Sequence, residues 1–382
     1  MKVLITGANG FIGKNLQAEL KNTKYKDWIE PLCFDCEMDE ILLDDYCSSC
    51  DFVIHLAGIN RPKDESEFME GNFGFTSLLL ELLTKHHNKA PILITSSIQA
   101  ALDNPYGKSK KAGEELIFHY GKENGIKVFV YRLPNVFGKW CKPNYNSAIA
   151  TFCYNIAHEL PIQVNDREHQ MKLVYIDDVI CEIINALQNQ ENRKEEFCYV
   201  SPVIDTTLGE IVDTIYSFKT FREKLAVPNH NRLLERYLYA TYLSYLPEDQ
   251  FAYDLNEHID NRGSFTEIIR TNGQGQFSLN ICHPGIAKGN HFHHTKNEKF
   301  LVVQGEAIIA FRKIGTEEVI EYRVSGKNLK VVDIPTGYTH LIKNIGEGDL
   351  LTFMWANEPF DPTHPDTIFE NVYLDDNRGE LK

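Results

Sequence analysis

At 382 residues the chain can hold two or three domains with their own cores, and 43% hydrophobic content with a mean hydropathy of −0.32 is that of a globular protein. A net charge of −15 disfavours phosphate backbones, so nucleic acid is not an expected partner, and no apolar run of about 18 residues is present to span a bilayer. Met1-Lys2-Val3-Leu4-Ile5-Thr6 turns into glycines too soon for a secretion signal, and nine cysteines are an odd number, so a cytoplasmic chain with no disulfide framework is expected.

An apolar strand is predicted at 2–6, a helix from about 10, and strands near 29–34, 51–56, 91–96 and 127–132, rich in Val, Ile and Leu as buried parallel strands are. This alternation predicts an α/β Rossmann-like domain over 1–246. Gly7-Ala8-Asn9-Gly10-Phe11-Ile12-Gly13 follows the first strand and opens the first helix, where glycines let a dinucleotide pyrophosphate approach N–H groups at a helix N-terminus. Asp35, 22 residues past Gly13, stands where an acid accepts hydrogen bonds from the adenosine ribose and favours NAD over NADP. Cys33, Cys36, Cys47 and Cys50 have zinc-ribbon spacing. They fall at opposite ends of parallel strands, roughly 16 Å apart, too far for thiolates that each lie about 2.3 Å from one ion.

Tyr106 and Lys110, at i and i+4, share one helix face at about 6 Å. A lysine ammonium there would stabilise tyrosinate and draw the phenol from its reference pKa near 10 towards neutrality. Ser96 and Ser97 end the preceding strand in hydroxyls suited to polarising a substrate carbonyl, and the short step from Ser97 to Tyr106 predicts a compact loop. The Gly-x2-Gly-x2-Gly turn, the Tyr-x3-Lys pair and Arg132-Leu-Pro134-Asn135-Val-Phe-Gly138 resemble extended short-chain dehydrogenase/reductases. That resemblance implies Ser97, rather than Ser96, with Tyr106 and Lys110 as catalytic residues. It also implies cofactor contacts from Gly7, Gly10, Phe11, Ile12, Gly13, Asp35, Leu56, Ala57, Gly58, Asn72, Tyr106, Lys110 and Pro134. Further along, a helix opening on acidic capping residues is predicted from Asp177 to Leu187, then a Leu/Tyr-rich helical segment from about Phe221 to Tyr245 and a boundary at Leu246-Pro247-Glu248.

Residues 247–382 form a second predicted domain. Short alternating apolar segments separated by Gly, Pro and Asn predict an all-β sandwich or barrel. Within it lie Gly285-x5-His291-x-His293-x4-Glu298-x6-Gly305 and Pro335-x-Gly337-x2-His340-x3-Asn344. His291 and His293, two apart on a strand, point the same way, and His294 points away. Glu298 from a turn and His340 from a neighbouring strand complete three nitrogens and one oxygen, a set suited to Zn, Fe, Mn, Ni or Co rather than Ca or Mg. Zinc is the expected ion. The two motifs resemble those of the cupin superfamily, a small β-barrel, with Leu329 where that family usually has a glycine six residues before the proline.

Taken together with Gly138-Lys-Trp-Cys-Lys-Pro-Asn-Tyr-Asn146, Tyr242-Leu-Ser-Tyr-Leu-Pro247 and Arg262-Gly-Ser-Phe-Thr-Glu267, the whole chain resembles the capsular-polysaccharide enzymes of the CapF type. The resemblance implies a bifunctional, homodimeric enzyme acting on a UDP-linked 4-keto-6-deoxy amino sugar. The cupin domain would epimerise C3 of UDP-2-acetamido-2,6-dideoxy-4-hexulose. The reductase domain would then reduce the C4 ketone with NADPH to UDP-2-acetamido-2,6-dideoxy-L-talose, a precursor of UDP-N-acetyl-L-fucosamine. NADP(H) is thus the cofactor implied by the family, and NAD(H) the one implied by Asp35. Asp260-Asn-Arg262-Gly263-Ser-Phe265 resembles the substrate strand of deoxysugar 3,5-epimerases, which implies that Arg262 meets the pyrophosphate. His294, Lys296, Tyr338 and Asp333 are the acid and base candidates. Two other readings fit the sequence: a reductase whose cupin only binds or dimerises, and an Fe(II) oxygenase fused to a reductase.

Overall fold

The computed structural model describes residues 1–374 apart from 272, 274 and 362. The chain divides into two compact units, Met1–Tyr216 with Arg232–Glu248, and Ser217–Asn231 with the chain from Asp249 onward. The segment 217–231 therefore groups with the second unit although it precedes the boundary read at 246.

In the first unit a seven-stranded sheet runs in the order Glu30–Phe34, Lys2–Thr6, Phe52–His55, Ile92–Ser97, Val128–Leu133, Phe197–Cys198, Arg193–Lys194. The first five strands are parallel. Leu4, Val53, Ile92 and Val130 pack with Leu79, Leu83 and Ile117 of the helices Phe75–Lys85 and Pro105–Asn124. The alternate residues Val3, Ile5, Ile54, Leu93 and Phe129 are also buried, so both sheet faces are covered, which is why these strands are apolar throughout. Lys2–Thr6 is flanked by the second strand on one side and the third on the other, so the chain order reverses there. In open parallel sheets ligands bind at the C-terminal ends of the strands at such a switch.

Two helical expectations change. The helix Ile176–Leu187 starts after Tyr175, which makes no side-chain cap, and Asp177 and Asp178 lie in its first turn, where negative charge favours the helix dipole. Of 221–245, only Leu233–Leu243 is helical. Pro228, with no N–H, and the Asn-rich stretch after it interrupt the pattern. Cys33 pairs in register with Ile5, whereas Cys50 precedes Phe52, the partner of Val3, so the two lie towards opposite strand ends as expected. All nine cysteines are free.

The second unit is two antiparallel sheets. One runs Glu257–Asp260, Gly263–Thr271, Gly275–Cys282, Leu350–Ala356, Glu298–Gln304, Val331–Ile334, and the other Val319–Ser325, Glu306–Lys313, Tyr338–Asn344, Ala287–Phe292, Ile368–Phe369. Phe300, Val302, Ile309, Phe311, Val332, Ile334, Ile342 and Leu350 form its apolar core. On Gly275–Cys282, period-2 alternation places Gln276, Ser278 and Asn280 on one face. These polar side chains are buried because that face lines a cleft of about 490 Å³.

Candidate functional site

The glycine-rich turn is shaped by close backbone approaches at the strand switch. Gly7 has φ +69, and a Cβ there would lie 2.7 Å from the Ala57 nitrogen, so the turn after the first strand rests on the Leu56-Ala57 backbone after the third. A Cβ on Gly13 would meet the carbonyls of Gly7 and Ala8 at 2.5 Å, so only glycine lets the helix Phe11–Leu20 start so close to the turn. Gly10 is the N-cap and supplies no side chain, which leaves the N–H groups around Phe11 and Ile12 suited to an anionic group. Asp35 accepts from the Asn9 N–H at 2.7 Å and the Cys36 N–H at 2.9 Å, at the far end of this turn. The donor set fits a dinucleotide.

Gly58, Asn72 and Lys110, distant in sequence, meet. A Cβ on Gly58 would lie 2.6 Å from Asn72 Oδ1 and 2.9 Å from Lys110 Nζ. Asn72 is buried, accepts from the Ile59 N–H and donates to the Ile59 carbonyl and to Ser109 Oγ, tying this loop to the Tyr106–Lys110 helix. His55 is buried between Thr6 Oγ1 at 2.7 Å and Thr76 Oγ1 at 2.9 Å, and burial, then the Lys110 charge, pushes it down to about 3. Pro134 joins Val128–Leu133 to Asn135–Phe137.

Asn104 caps the helix Pro105–Asn124 by accepting from the Gly107 N–H, which sets Tyr106 in the first turn. Ser97 is the strand-end hydroxyl hydrogen-bonded with Tyr106. Ser96 is buried and donates instead to Glu114 at 2.5 Å. The expectation that Lys110 lowers the Tyr106 pKa is not met. Burial pushes this phenol up and the Ser97 hydrogen bond offsets only part of the rise. Lys110 Nζ lies 6.0 Å from the ring centroid and donates to the Thr95 carbonyl at 3.3 Å, and burial pushes it down to about 8 against the pull of Glu114. Not anticipated from the sequence is the ion pair behind this site between the buried Glu114 and the half-buried Arg132, 2.6 Å. The signal was present: Glu114 follows Lys110 by four residues on the same helix face, and Arg132 is a charge inside an apolar strand.

In the second unit, one ligand atom each from His291, His293, Glu298 and His340 lies within 4.8 Å of the others. Glu298 Oε2 is 3.5 Å from His293 Nε2 and 3.4 Å from His340 Nε2. Ligands at about 2.0–2.1 Å around a tetrahedral ion would be separated by roughly 3.4 Å. His293 Nε2 and Glu298 Oε2 are buried without a hydrogen-bond partner among the described residues, so these residues fit a metal ion. Burial, then the His340 and His293 rings, pushes His291 down to about 4, which keeps it neutral for coordination. Burial works to raise the Glu298 carboxyl, but His293 and His340 outweigh it and hold it well below the usual range.

The local geometry differs from the expected strand and turn. His291 is opposite His340 in register, but a bulge lies between Gly289 and His291 at Asn290, φ +59, and His293 is just past the strand end. Glu298 opens a strand of the other sheet rather than sitting in a turn. His294 is exposed, as expected. Arg262 lines the same cleft and pairs with Asp260 at 2.6 Å. Of the four acid and base candidates only Lys296 lines it, whereas Asp333 pairs with Lys299 outside. Lys288 was missed. It lines the cleft and donates to Asn280 Oδ1 at 3.0 Å and the Ile281 carbonyl at 2.8 Å.

Residues 3–199 match the NAD dependent epimerase/dehydratase family, and residues 258–368 match the polysaccharide biosynthesis C-terminal domain. A Rossmann-like unit with a nucleotide-binding turn and a Tyr/Lys helix is the architecture of the first family, and the chain belongs to it. Within that family it is of the CapF type, in which the second domain follows the first. It is 44% identical over 367 residues, covering 96% of this chain and 98% of the relative, to UDP-2-acetamido-2,6-beta-L-arabino-hexul-4-ose reductase of Pseudomonas aeruginosa. The crystal structure of the capsular polysaccharide assembling protein CapF of Staphylococcus aureus superposes with a TM-score of 0.91 at 49% identity, over 97% of this chain and 100% of that one. CapF with the inhibitor 3-isopropenyl-tropolone gives a TM-score of 0.86 at 46% identity over the same shares.

Proposed function

We propose that the chain is a bifunctional nucleotide-sugar enzyme of capsular polysaccharide synthesis. Its second unit, as a cupin, epimerises C3 of UDP-2-acetamido-2,6-dideoxy-4-hexulose. Its first unit reduces the C4 ketone to UDP-2-acetamido-2,6-dideoxy-L-talose, on the path to UDP-N-acetyl-L-fucosamine. The observation that carries this is the pairing, in one chain, of a Ser97/Tyr106/Lys110 cluster at a Rossmann switch with a separate cleft holding three histidines and Glu298 beside Arg262. The Pseudomonas relative named as a 4-ketosugar reductase supports the substrate class.

The order follows from chemistry. The C3 proton is acidic only while C4 is a ketone, so epimerisation precedes reduction. In the first unit Tyr106, kept protonated by burial, gives its proton to the C4 oxygen, Ser97 orients that oxygen, and the Lys110 ammonium offsets the negative charge left on the phenolate. A reduced nicotinamide dinucleotide would supply the hydride and would be held by Gly7, Gly10, Phe11, Ile12, Gly13, Leu56, Ala57, Gly58, Asn72 and Pro134; the family implies NADPH, whereas Asp35, facing the adenosine ribose, favours NADH. In the second unit Arg262 meets the substrate diphosphate; inversion takes the C3 proton to a base on one ring face and returns a proton from an acid on the other, and Lys296 is a cleft group available for one of these two roles. A zinc ion on His291, His293, Glu298 and His340 would stiffen the cleft or polarise the ketone. The CapF inhibitor is in keeping with such an ion, since the adjacent oxygens of a tropolone chelate divalent metals.

Proton NMR in D2O with the 4-keto sugar nucleotide, with and without NADPH, tests the reading. The expected result is loss of the C3 proton signal without cofactor and C4 reduction with it. Reduction without any C3 exchange would leave a reductase whose second unit only binds.

A further inference from the structure

The segment 366–372 returns to the metal-ligand loop from some 70 residues away in sequence. The Asp366 carboxylate accepts from three successive backbone N–H groups, His294 at 2.9 Å, Thr295 at 2.7 Å and Lys296 at 2.8 Å, and from Thr295 Oγ1 at 3.2 Å. The Asp366 main-chain carbonyl accepts from His293 Nδ1. The segment is itself fastened. Arg312, 2% exposed, donates to the carbonyls of Asn371 and Val372 and to Glu370 Oε1, and Thr339 Oγ1 donates to the Glu370 carbonyl. Ile368 and Phe369 pair with Phe292 and His291.

We propose that Asp366 is a positioning residue for the metal site: its carboxylate fixes the backbone between His293 and Glu298 and, by anchoring its own segment there, holds the Asp366 carbonyl on His293 Nδ1, so that the tautomer leaves Nε2 facing the ion. A histidine ligand whose second nitrogen donates to a carbonyl is held in one tautomer and one ring orientation, and loss of such a partner typically weakens metal affinity 10- to 100-fold. Nδ1 of His293 is the nitrogen so engaged, and Nε2 is the nitrogen left without a partner among the described residues, so the two observations agree. A turn of three consecutive N–H groups gathered on one carboxylate has one preferred shape, which sets the spacing between the ligands on either side of it. This inference rests on the metal reading of His291, His293, Glu298 and His340.

The experiment compares wild type, Asp366→Ala and His340→Ala as full-length chains. Zinc affinity is measured by competition with a chromophoric chelator, the cobalt-substituted absorption spectrum is recorded below the melting point, and a cooperative melt of the second unit by calorimetry serves as the control for folding. Expected are roughly 10- to 100-fold weaker zinc binding and altered cobalt d–d bands in Asp366→Ala, with the cooperative melt retained. Asp366→Asn, whose carboxamide oxygen still accepts N–H groups, should recover part of the affinity and keeps the test open if the alanine variant misfolds. Wild-type zinc affinity and cobalt bands in a folded Asp366→Ala protein, whatever its melting temperature, would overturn the proposal. A wild type that binds no zinc, or a His340→Ala protein that binds it normally, would instead overturn the metal reading beneath it.

Discussion

In the proposed mechanism reduction turns on Tyr106, whose phenol burial holds in the protonated form that would supply a proton to a ketone oxygen. Tyr106→Phe keeps the ring, and with it the tilted ring contact to Phe68, but removes the proton. Ketone reduction should fall by on the order of 10²-fold or more, with cofactor binding nearly intact and C3 exchange preserved. Steady-state reduction and cofactor titration check this, and wild-type turnover would remove the assignment. His55 supplies a pH dependence. Its folded pKa, about 3, lies below the ordinary histidine value of about 6.5, so the unfolded chain takes up the proton first. The stability contribution is therefore fully present above pH about 6.5 and is lost as pH falls towards 3, at about 1.4 kcal/mol per unit within that window. Denaturant melts of the wild type and of His55→Gln at pH 7 and pH 5 should converge as pH falls. Parallel curves would mean that some other group governs acid sensitivity.

The helix Pro105–Asn124 shows how an element fixes the reach of the Tyr106 hydroxyl. The short 3-10 turn Ile98–Ala101 lies against its first turn, and a Cβ on Gly107 would sit 2.2 Å from the Gln99 carbonyl and 2.7 Å from that of Leu102. Gly107→Ala should push the turn off the helix at roughly 1–3 kcal/mol, which in a unit of this size lowers Tm by about 2–4 °C per kcal/mol, and should cut reduction more than cofactor binding. Calorimetry with kinetics decides it, since an unshifted melt would show that the turn relaxes freely. Elements like this were legible in the sequence where periodicity and spacing are local. Tyr106 and Lys110 lie four apart, the parallel strands are apolar on both faces, and the histidine motif carries its own offsets. What was not legible depends on chain segments that meet only after folding. Asp366 acts partly through its carbonyl, which leaves no trace in side-chain identity. The direction of the Tyr106 shift depends on burial, which i,i+4 spacing does not carry, and the Leu/Tyr-rich composition from 221 onward does not reveal that Pro228 interrupts the helix.

At the scale of the whole molecule, two sites on one chain either act independently or depend on one another, and single-site lesions separate the cases. Tyr106→Phe should leave C3 exchange and stop reduction. His340→Ala should release the metal, lower the melting of the second unit because binding energy at a folded site is folding energy, and stop C3 exchange, while a ketone already of the right configuration is still reduced. Elemental analysis, calorimetry and the two separate assays report each of these. Retained stoichiometric metal with a normal melt would mean that the four-residue site is wrong, and metal loss with full exchange would make the ion structural. Mixing the two variant proteins then asks how the halves cooperate. With the 4-keto sugar nucleotide released between the steps, one protein would epimerise and the other reduce, and the mixture should form the fully reduced product after a lag that shortens with protein concentration. A mixture that forms none, although each variant keeps its own half-reaction, would show that the intermediate must pass within one intact chain.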